Sequence, residues 1–190
     1  YAVEYIGAVA VMLNTSLNLP ELLPLIEQTG AEYLLLGHAD KGDGYFEAEL
    51  DGAVLPECLR HIVSLRHNCG TYPVLGDLVP GDERAVRAAA DAVTPQDTAT
   101  ILFTSGSTSR PKAVCTSHYS RVNGGIQQAH DLAATADDRF CVAMPVYHCF
   151  CVSGNLFAAL AVGACVCLPR DRHTANVIDT VQKERCTVLN

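Results

Sequence analysis

Short apolar runs of strand length alternate with helical segments along almost the whole chain, and this alternation restricts the fold more than any other feature. "VAVML" is followed by "LPELLPLIEQTG", where Pro20 marks a helix start and Gly30 a stop, and then by "AEYLLLG". Later, "ATILFT", "AVCTS", "RFCVAM", "ACVCLP" and "CTVLN" read as strands. Between them "SHYSRVNGGIQQAHDLA", "SGNLFAALAVG" and "TANVIDTVQKER" read as helices, the first in spite of Gly124 and Gly125, which cost helix stability. Strand–helix alternation builds an α/β fold with mostly parallel sheets. "YAVEYIGA" reads as the end of a helix, "HIVSL" as a further strand, and "GDERAVRAAADAV" as a surface helix with alanine on its inner side. The Gly- and Asp-rich residues 37–53 read as a loop. The connector "VTPQDTA" places a soft subdomain boundary near residues 94–98.

The 190 residues are 49% hydrophobic and 18% charged, a composition that buries a core. The net charge of -8 argues against nonspecific binding to nucleic acid or to an anionic membrane. No run of apolar residues is long enough to span a membrane, and "GAVAVML" lacks the basic flank of a signal peptide. Nine cysteines without a CxxC pair fit a reduced cytoplasmic compartment better than a disulfide scaffold. Cys149/Cys151 and Cys165/Cys167 are each two apart, which on a strand puts each pair on one face. With His148 they offer a rival reading, a non-catalytic metal- or thiol-binding module. Free cysteine also serves as a small buried apolar residue, and no residue is assigned as a metal ligand.

One loop concentrates chemistry. "ILFTSGSTSRPKAV" sets Thr104, Ser105, Ser107, Thr108 and Ser109 directly after a strand, with Gly106 to turn the backbone and Lys112 to add positive charge. Hydroxyls, successive backbone N–H groups and an ammonium are the donors that phosphate oxygens require. A solvated Ser/Thr turn would show the same composition. The GxxxxGK[ST] nucleotide loop does not fit, because Pro111 holds its second glycine position and Ala113 follows the lysine. The GxSxG elbow of serine hydrolases is absent.

"FTSGSTSRPKAV" resembles the phosphate-binding signature of adenylate-forming enzymes, the superfamily of acyl-CoA synthetases, peptide-synthetase adenylation domains and luciferase. Thr104, Ser105, Gly106, Ser107, Thr108, Pro111, Lys112 and Val114 match it, while Ser109 and Ala113 replace glycines and stiffen the loop. "MPVYHCF" is similar to the family's Pro-x-[FY]-His segment through Pro145, Tyr147 and His148, with Cys151 in place of a common glycine. "LAVGACVCLPR" and the N-terminal "YIGAVAVMLNTSLNLPELLPLIEQTGAEYLL" resemble further family segments in the same order. The chain begins with Tyr1 and stops within an apparent strand, so residues 1–190 read as part of the large N-terminal domain, without the small C-terminal domain.

The resemblance implies an acid–thiol ligase of fatty acid metabolism. It uses ATP and Mg2+ to turn a carboxylic acid into an acyl-adenylate with release of pyrophosphate, then passes the acyl group to coenzyme A. It sets no oligomeric state. Lys112 and the loop residues Thr104, Ser105, Gly106, Ser107, Thr108 and Ser109 would hold the departing phosphates. His148 would gate the acyl pocket, or keep a purely structural hydrogen bond. Tyr147 and Phe150 would line that pocket, or pack as core. The family's magnesium-supporting Glu and catalytic Lys would lie past Asn190, so the isolated residues are expected to be inactive. Amino-acid-activating relatives place an Asp near Phe150, and no Asp or Glu occurs between Pro145 and Leu168. That favours a fatty or aryl acid over the peptide-synthetase alternative.

Overall fold

The computed structural model describes residues 1–37, 45–65, 72–104 and 111–189. In chain order the elements are α1 (Ala2–Tyr5), β1 (Ala10–Met12), α2 (Leu19–Thr29), β2 (Tyr33–Leu36), α3 (Tyr45–Leu50), β3 (His61–Ser64), α4 (Glu83–Asp91), β4 (Thr98–Phe103), β5 (Ala113–Ser117), α5 (His118–Asp131), β6 (Arg139–Cys141), α6 (Phe157–Val162), β7 (Cys165–Cys167), α7 (Thr174–Glu184) and β8 (Val188–Leu189). A 3-10 turn covers Leu75–Asp77, and a π-helical turn, Phe150–Leu156, leads into α6.

Local chemistry sets several of these boundaries. Asn18 starts α2 through a capping box. Its side chain accepts the Glu21 N–H at 3.1 Å, and the Glu21 carboxylate accepts the Asn18 N–H at 2.9 Å. Gly30, at φ 64°, ends the same helix in the left-handed region. Ser117 caps α5 by accepting the Ser120 N–H, and Gly163 closes α6 at φ 71°. Residues 45–50 depart from the expected loop. Phe46 and Leu50 are buried one helical turn apart, and that packing draws Tyr45–Leu50 into α3. No α4 residue is buried; Ala89 and Ala90 are half-buried and the rest of the helix faces water.

Three sheets result, in the orders β1-β4-β5, β2-β3 and β7-β6-β8. β1–β4, β2–β3, β6–β7 and β6–β8 are parallel, with Ala10 opposite Thr100, Tyr33 opposite His61, Arg139 opposite Cys165 and Phe140 opposite Val188. β4 and β5 are neighbours joined only by Thr104–Lys112, a connection too short for a parallel crossover, so they form a hairpin. The mostly parallel α/β reading holds.

The contacts divide into two units. One comprises Tyr1–Met12, Ala92–Leu102 and Cys115–Asn190, the other Leu13–Asp91 and Phe103–Val114. The core of the second unit is Leu19, Leu22, Leu36, Phe46 and Leu50. That of the first is Ala129, Phe140, Val142, Cys151, Ala158 and Ala159. In the first unit α5 lies against the π-helical turn and α6 at very close range. Gly125 permits this, since a Cβ there would meet the Phe157 backbone below 3 Å. The glycine that costs α5 helix propensity is the residue that lets it pack.

Candidate active site

The β4–β5 hairpin carries the hydroxyl-rich loop. β4 leads into it as a fixed strand, with Ala99, Thr100 and Leu102 buried. At the base of the loop the Thr104 N–H donates to the Lys112 carbonyl at 3.0 Å, and the Lys112 N–H donates to Thr104 Oγ1 at 3.4 Å. The two bonds pin the ends of the loop together and orient the Thr104 side chain, whose hydroxyl proton stays available to a ligand. Lys112 is exposed, and among the described residues it forms no ion pair. Ser105, Gly106, Ser107, Thr108 and Ser109 lie outside the described residues.

The Pro-x-Tyr-His segment builds a second feature, within the first unit. The His148 N–H donates to the Pro145 carbonyl at 2.9 Å, making a tight turn. The His148 carbonyl then accepts the Cys151 and Val152 N–H groups at 3.0 and 3.2 Å, and its Nδ1 accepts the Phe150 N–H at 3.3 Å. The ring thus caps the start of the π-helical turn, satisfying a donor that a helix start leaves open. With Nδ1 accepting, the neutral ring carries its proton on Nε2. His148 is itself exposed, Tyr147 is half-buried, and Phe150 is 42% exposed. One turn therefore brings Tyr147, His148 and Phe150 together. The reason is visible in the next residues: Cys151 and Val152 are buried at 0% and 2% exposure and anchor the turn to the core. Single-turn π-helices recur at functional sites because they re-aim one side chain without breaking the helix.

Cys149 and Cys151 do not share a strand face. They stand at the start of a helical segment, Cys149 exposed and Cys151 buried, and burial pushes the Cys151 thiol up to about 11. Cys165 and Cys167 do share a face of β7, with sulfurs 3.9 Å apart. The cysteines among the described residues are free, and no three His, Cys, Asp or Glu side chains among them are placed to hold a metal. No helix among the described residues is long and apolar enough to cross a membrane.

A buried polar network in the first unit escapes sequence reasoning. The Thr100 hydroxyl donates to Glu4 Oε1 at 2.6 Å, and Arg121 Nη1 lies 3.3 Å from the same oxygen and also donates to Thr100 Oγ1. The Arg121 guanidinium stacks 4.4 Å from the Phe157 ring centroid, and Tyr1 meets that ring edge-on at 5.2 Å. Burial lowers the Arg121 pKa and the Glu4 charge opposes the shift. Glu4, Thr100 and Arg121 are 6%, 0% and 2% exposed, so neither charge could be buried without the other. Together they tie α1, β4 and α5 into one body. The only sequence signal is a lone charge within the otherwise apolar "YAVEYIGAVAV".

The profile of the AMP-binding enzyme family matches residues 1–190. A 3-[(3aS,4S,7aS)-7a-methyl-1,5-dioxo-octahydro-1H-inden-4-yl]propanoyl:CoA ligase of Mycobacterium tuberculosis is 32% identical over 194 residues, covering 99% of this chain and 37% of that protein. Among solved structures, apo MbtA of Mycobacterium smegmatis superposes with a TM-score of 0.75 at 21% identity, covering 98% of this chain and 34% of that one. The o-succinylbenzoate CoA synthetase of Bacillus subtilis, in complex with the acyl-adenylate intermediate OSB-AMP, gives a TM-score of 0.67 at 21% identity, covering 98% and 43%. At these identities the structural likeness speaks for the fold alone. The chain spans well under half the length of the proteins it matches.

Proposed function

This chain belongs to the AMP-binding enzyme family, and from that premise we propose that the protein carrying it is an ATP-dependent acid–thiol ligase. It activates a carboxylic acid as its acyl-adenylate, expels pyrophosphate, and transfers the acyl group to coenzyme A. The observation that carries this reading is the pinned base of the β4–β5 loop, where Thr104 and Lys112 hold each other through two hydrogen bonds.

The carboxylate and the polyphosphate are both anionic, so their mutual repulsion is a main part of the barrier. Thr104, Ser105, Gly106, Ser107, Thr108, Ser109 and Lys112 would receive the β- and γ-phosphates. Their donors stabilise the charge that builds on departing pyrophosphate. Pinning Thr104 and Lys112 to each other beforehand lowers the cost of positioning these two donors when the nucleotide arrives. Mg2+, when bound, supplies further neutralisation of the phosphate charge. None of the described residues is assigned to hold it.

Tyr147, His148 and Phe150 would border the acyl group. Exposed Phe150 offers an aromatic surface, and no acidic side chain lies between Pro145 and Leu168 to pair with a substrate ammonium. An acid lacking an α-amine fits this border, and a fatty or aryl acid is the class assigned. The CoA ligase names of the relatives support the thiol acceptor.

The test is acid-dependent exchange of labelled pyrophosphate into ATP by the full-length protein. Lys112→Ala should lower the exchange rate by about 100-fold, the scale of losing one donor to developing charge. Undiminished exchange in a folded variant would remove Lys112 from the phosphate site. Absence of exchange in the wild type with any fatty or aryl acid would remove the substrate assignment.

A further inference from the structure

The β7-β6-β8 sheet carries a thiol cluster that the proposed ligase chemistry does not use. β6 and β7 run parallel with Arg139 opposite Cys165 and Cys141 opposite Cys167, so all four side chains project from the same face. The Cys165 and Cys167 sulfurs are 3.9 Å apart. Cys186, just ahead of β8, adds a third sulfur beside Cys167 and Cys141 while its thiol donates to the Thr180 carbonyl at 3.8 Å. A cleft of about 440 Å³ opens onto this face, lined by Arg139, Cys165, Cys167, Asp179, Lys183 and Glu184 among others.

The thiols differ in access. Cys165 is exposed, Cys186 half-buried, and Cys167 and Cys141 are buried. They differ also in charge environment. Arg139 lies close enough to Cys165 for a thiolate there to raise the arginine's own pKa. Lys183 stands at the same cleft. Both cations have carboxylate partners, Glu184 at 2.6 Å from Arg139 and Asp179 at 2.9 Å from Lys183, so they screen a thiolate without dominating it. Burial, with neighbouring Cys186 and Cys165 adding to it, pushes the Cys167 thiol up to about 11, so it stays protonated. An accessible thiol beside a cation, with a protonated thiol in contact behind it, is the arrangement of an attacked and a resolving cysteine.

We propose that Cys165 and Cys167 form a reversible oxidation site, Cys165 reacting with a hydroperoxide and Cys167 resolving the product. The Cys165 thiolate attacks the peroxide's outer oxygen, the O–O bond breaks, and the alkoxide or hydroxide leaves and takes up a proton, giving a sulfenic acid. The Cys167 sulfur then attacks the Cys165 sulfur, the S–O bond breaks, and water departs carrying the Cys167 proton. Two thiols lose two electrons and the peroxide gains them. Residues two apart on an extended strand sit about 6.6 Å apart at Cα, near the upper limit for a disulfide. The bridge falls within reach at the edge of that range, and an accessible bridge of this kind is open to reduction by a small-molecule thiol.

The test treats the full-length protein with stoichiometric hydrogen peroxide and follows each cysteine by differential alkylation and peptide mass spectrometry. Cys165 and Cys167 should lose alkylation together, about tenfold faster than exposed Cys115, and regain it with dithiothreitol. Cys165→Ser, an exposed change, should leave Cys167 fully alkylable. Cys167→Ala should trap a dimedone-reactive sulfenic acid at Cys165, and Cys167→Val tests the same point if the alanine variant is poorly folded. Cys165 reacting no faster than Cys115 would overturn the proposal. So would a bridge linking Cys167 to Cys186 instead. Pyrophosphate exchange is read separately, so the outcome does not depend on the ligase assignment.

Discussion

Gly125→Ala is the sharpest test of how the first unit is packed. An alanine Cβ at this position would lie 2.6 Å from Phe157 Cβ, 2.7 Å from its carbonyl carbon and 2.8 Å from its carbonyl oxygen. Two of these atoms are backbone, so no rotamer change relieves the overlap. Carbon contacts settle near about 3.5–4 Å, and α5 must retreat from α6 by roughly 1 Å. The retreat loosens the packing of Ala158 and Ala159, both at 0% exposure. Overpacking costs about 1–3 kcal/mol, and alanine returns about 1 kcal/mol of helix propensity. The expected net change is a loss of about 0–2 kcal/mol. The adjacent Gly124 is the internal control, because a Cβ there meets nothing within 4 Å. Gly124→Ala should stabilise by about 1 kcal/mol through propensity alone. The relatives are more than twice as long as this chain, and at about 1 °C per kcal/mol for that size calorimetry of the full-length variants should show Gly124→Ala melting about 1 °C higher and Gly125→Ala up to about 2 °C lower. A Gly125→Ala variant that melts as high as Gly124→Ala would refute the close α5–α6 approach.

The His148 cap separates structure from catalysis. His148→Ala should cost about 1 kcal/mol in urea unfolding by orphaning the Phe150 N–H, and His148→Asn should recover most of it. If the ring also gates the acyl pocket, His148→Asn still raises KM for the acid; a wild-type KM in that variant would leave His148 with the cap alone. Asp138 predicts a pH dependence. Hydrogen bonds from the Thr187 hydroxyl and from the Thr135 N–H and hydroxyl hold its pKa below the ordinary 3.8. A depressed folded pKa contributes stability that is present above 3.8 and lost as pH falls through the lower, folded value. The melting-temperature gap between wild type and Asp138→Asn should therefore be open near about pH 6 and narrow as the pH falls below 3.8. A gap that is constant across this range would rule the linkage out.

Much of the architecture is legible in local chemistry. Asn18 and Glu21 stand three apart ahead of an apolar run, and Gly30 and Gly163 follow helices that they terminate at positive φ. Each of these signals acts within one turn of chain. Residues 45–50 were not legible, because their helix is stabilised by Phe46 and Leu50 packing into a core assembled from distant segments. Cys149 and Cys151 misled for a related reason. A spacing of two carries meaning only on a strand, and the turn closed by Pro145 and His148 starts a helix there. The loop chemistry of Thr104–Lys112 was readable as residue types and order; the two bonds at its base were not.

What the sequence determined by itself was the alternation of strands and helices, the grouping of hydroxyls and a lysine after β4, and the family to which those residues belong. All three depend on residue order along the chain. Tertiary structure alone decided that Arg121 would be buried against Glu4 and Thr100, that Gly125 would serve as a packing surface, and that Cys186 would meet Cys141 and Cys167. Burial and proximity between distant residues are properties of the packed fold, and the same arginine, glycine or cysteine reads identically in sequence whether it faces water or the core.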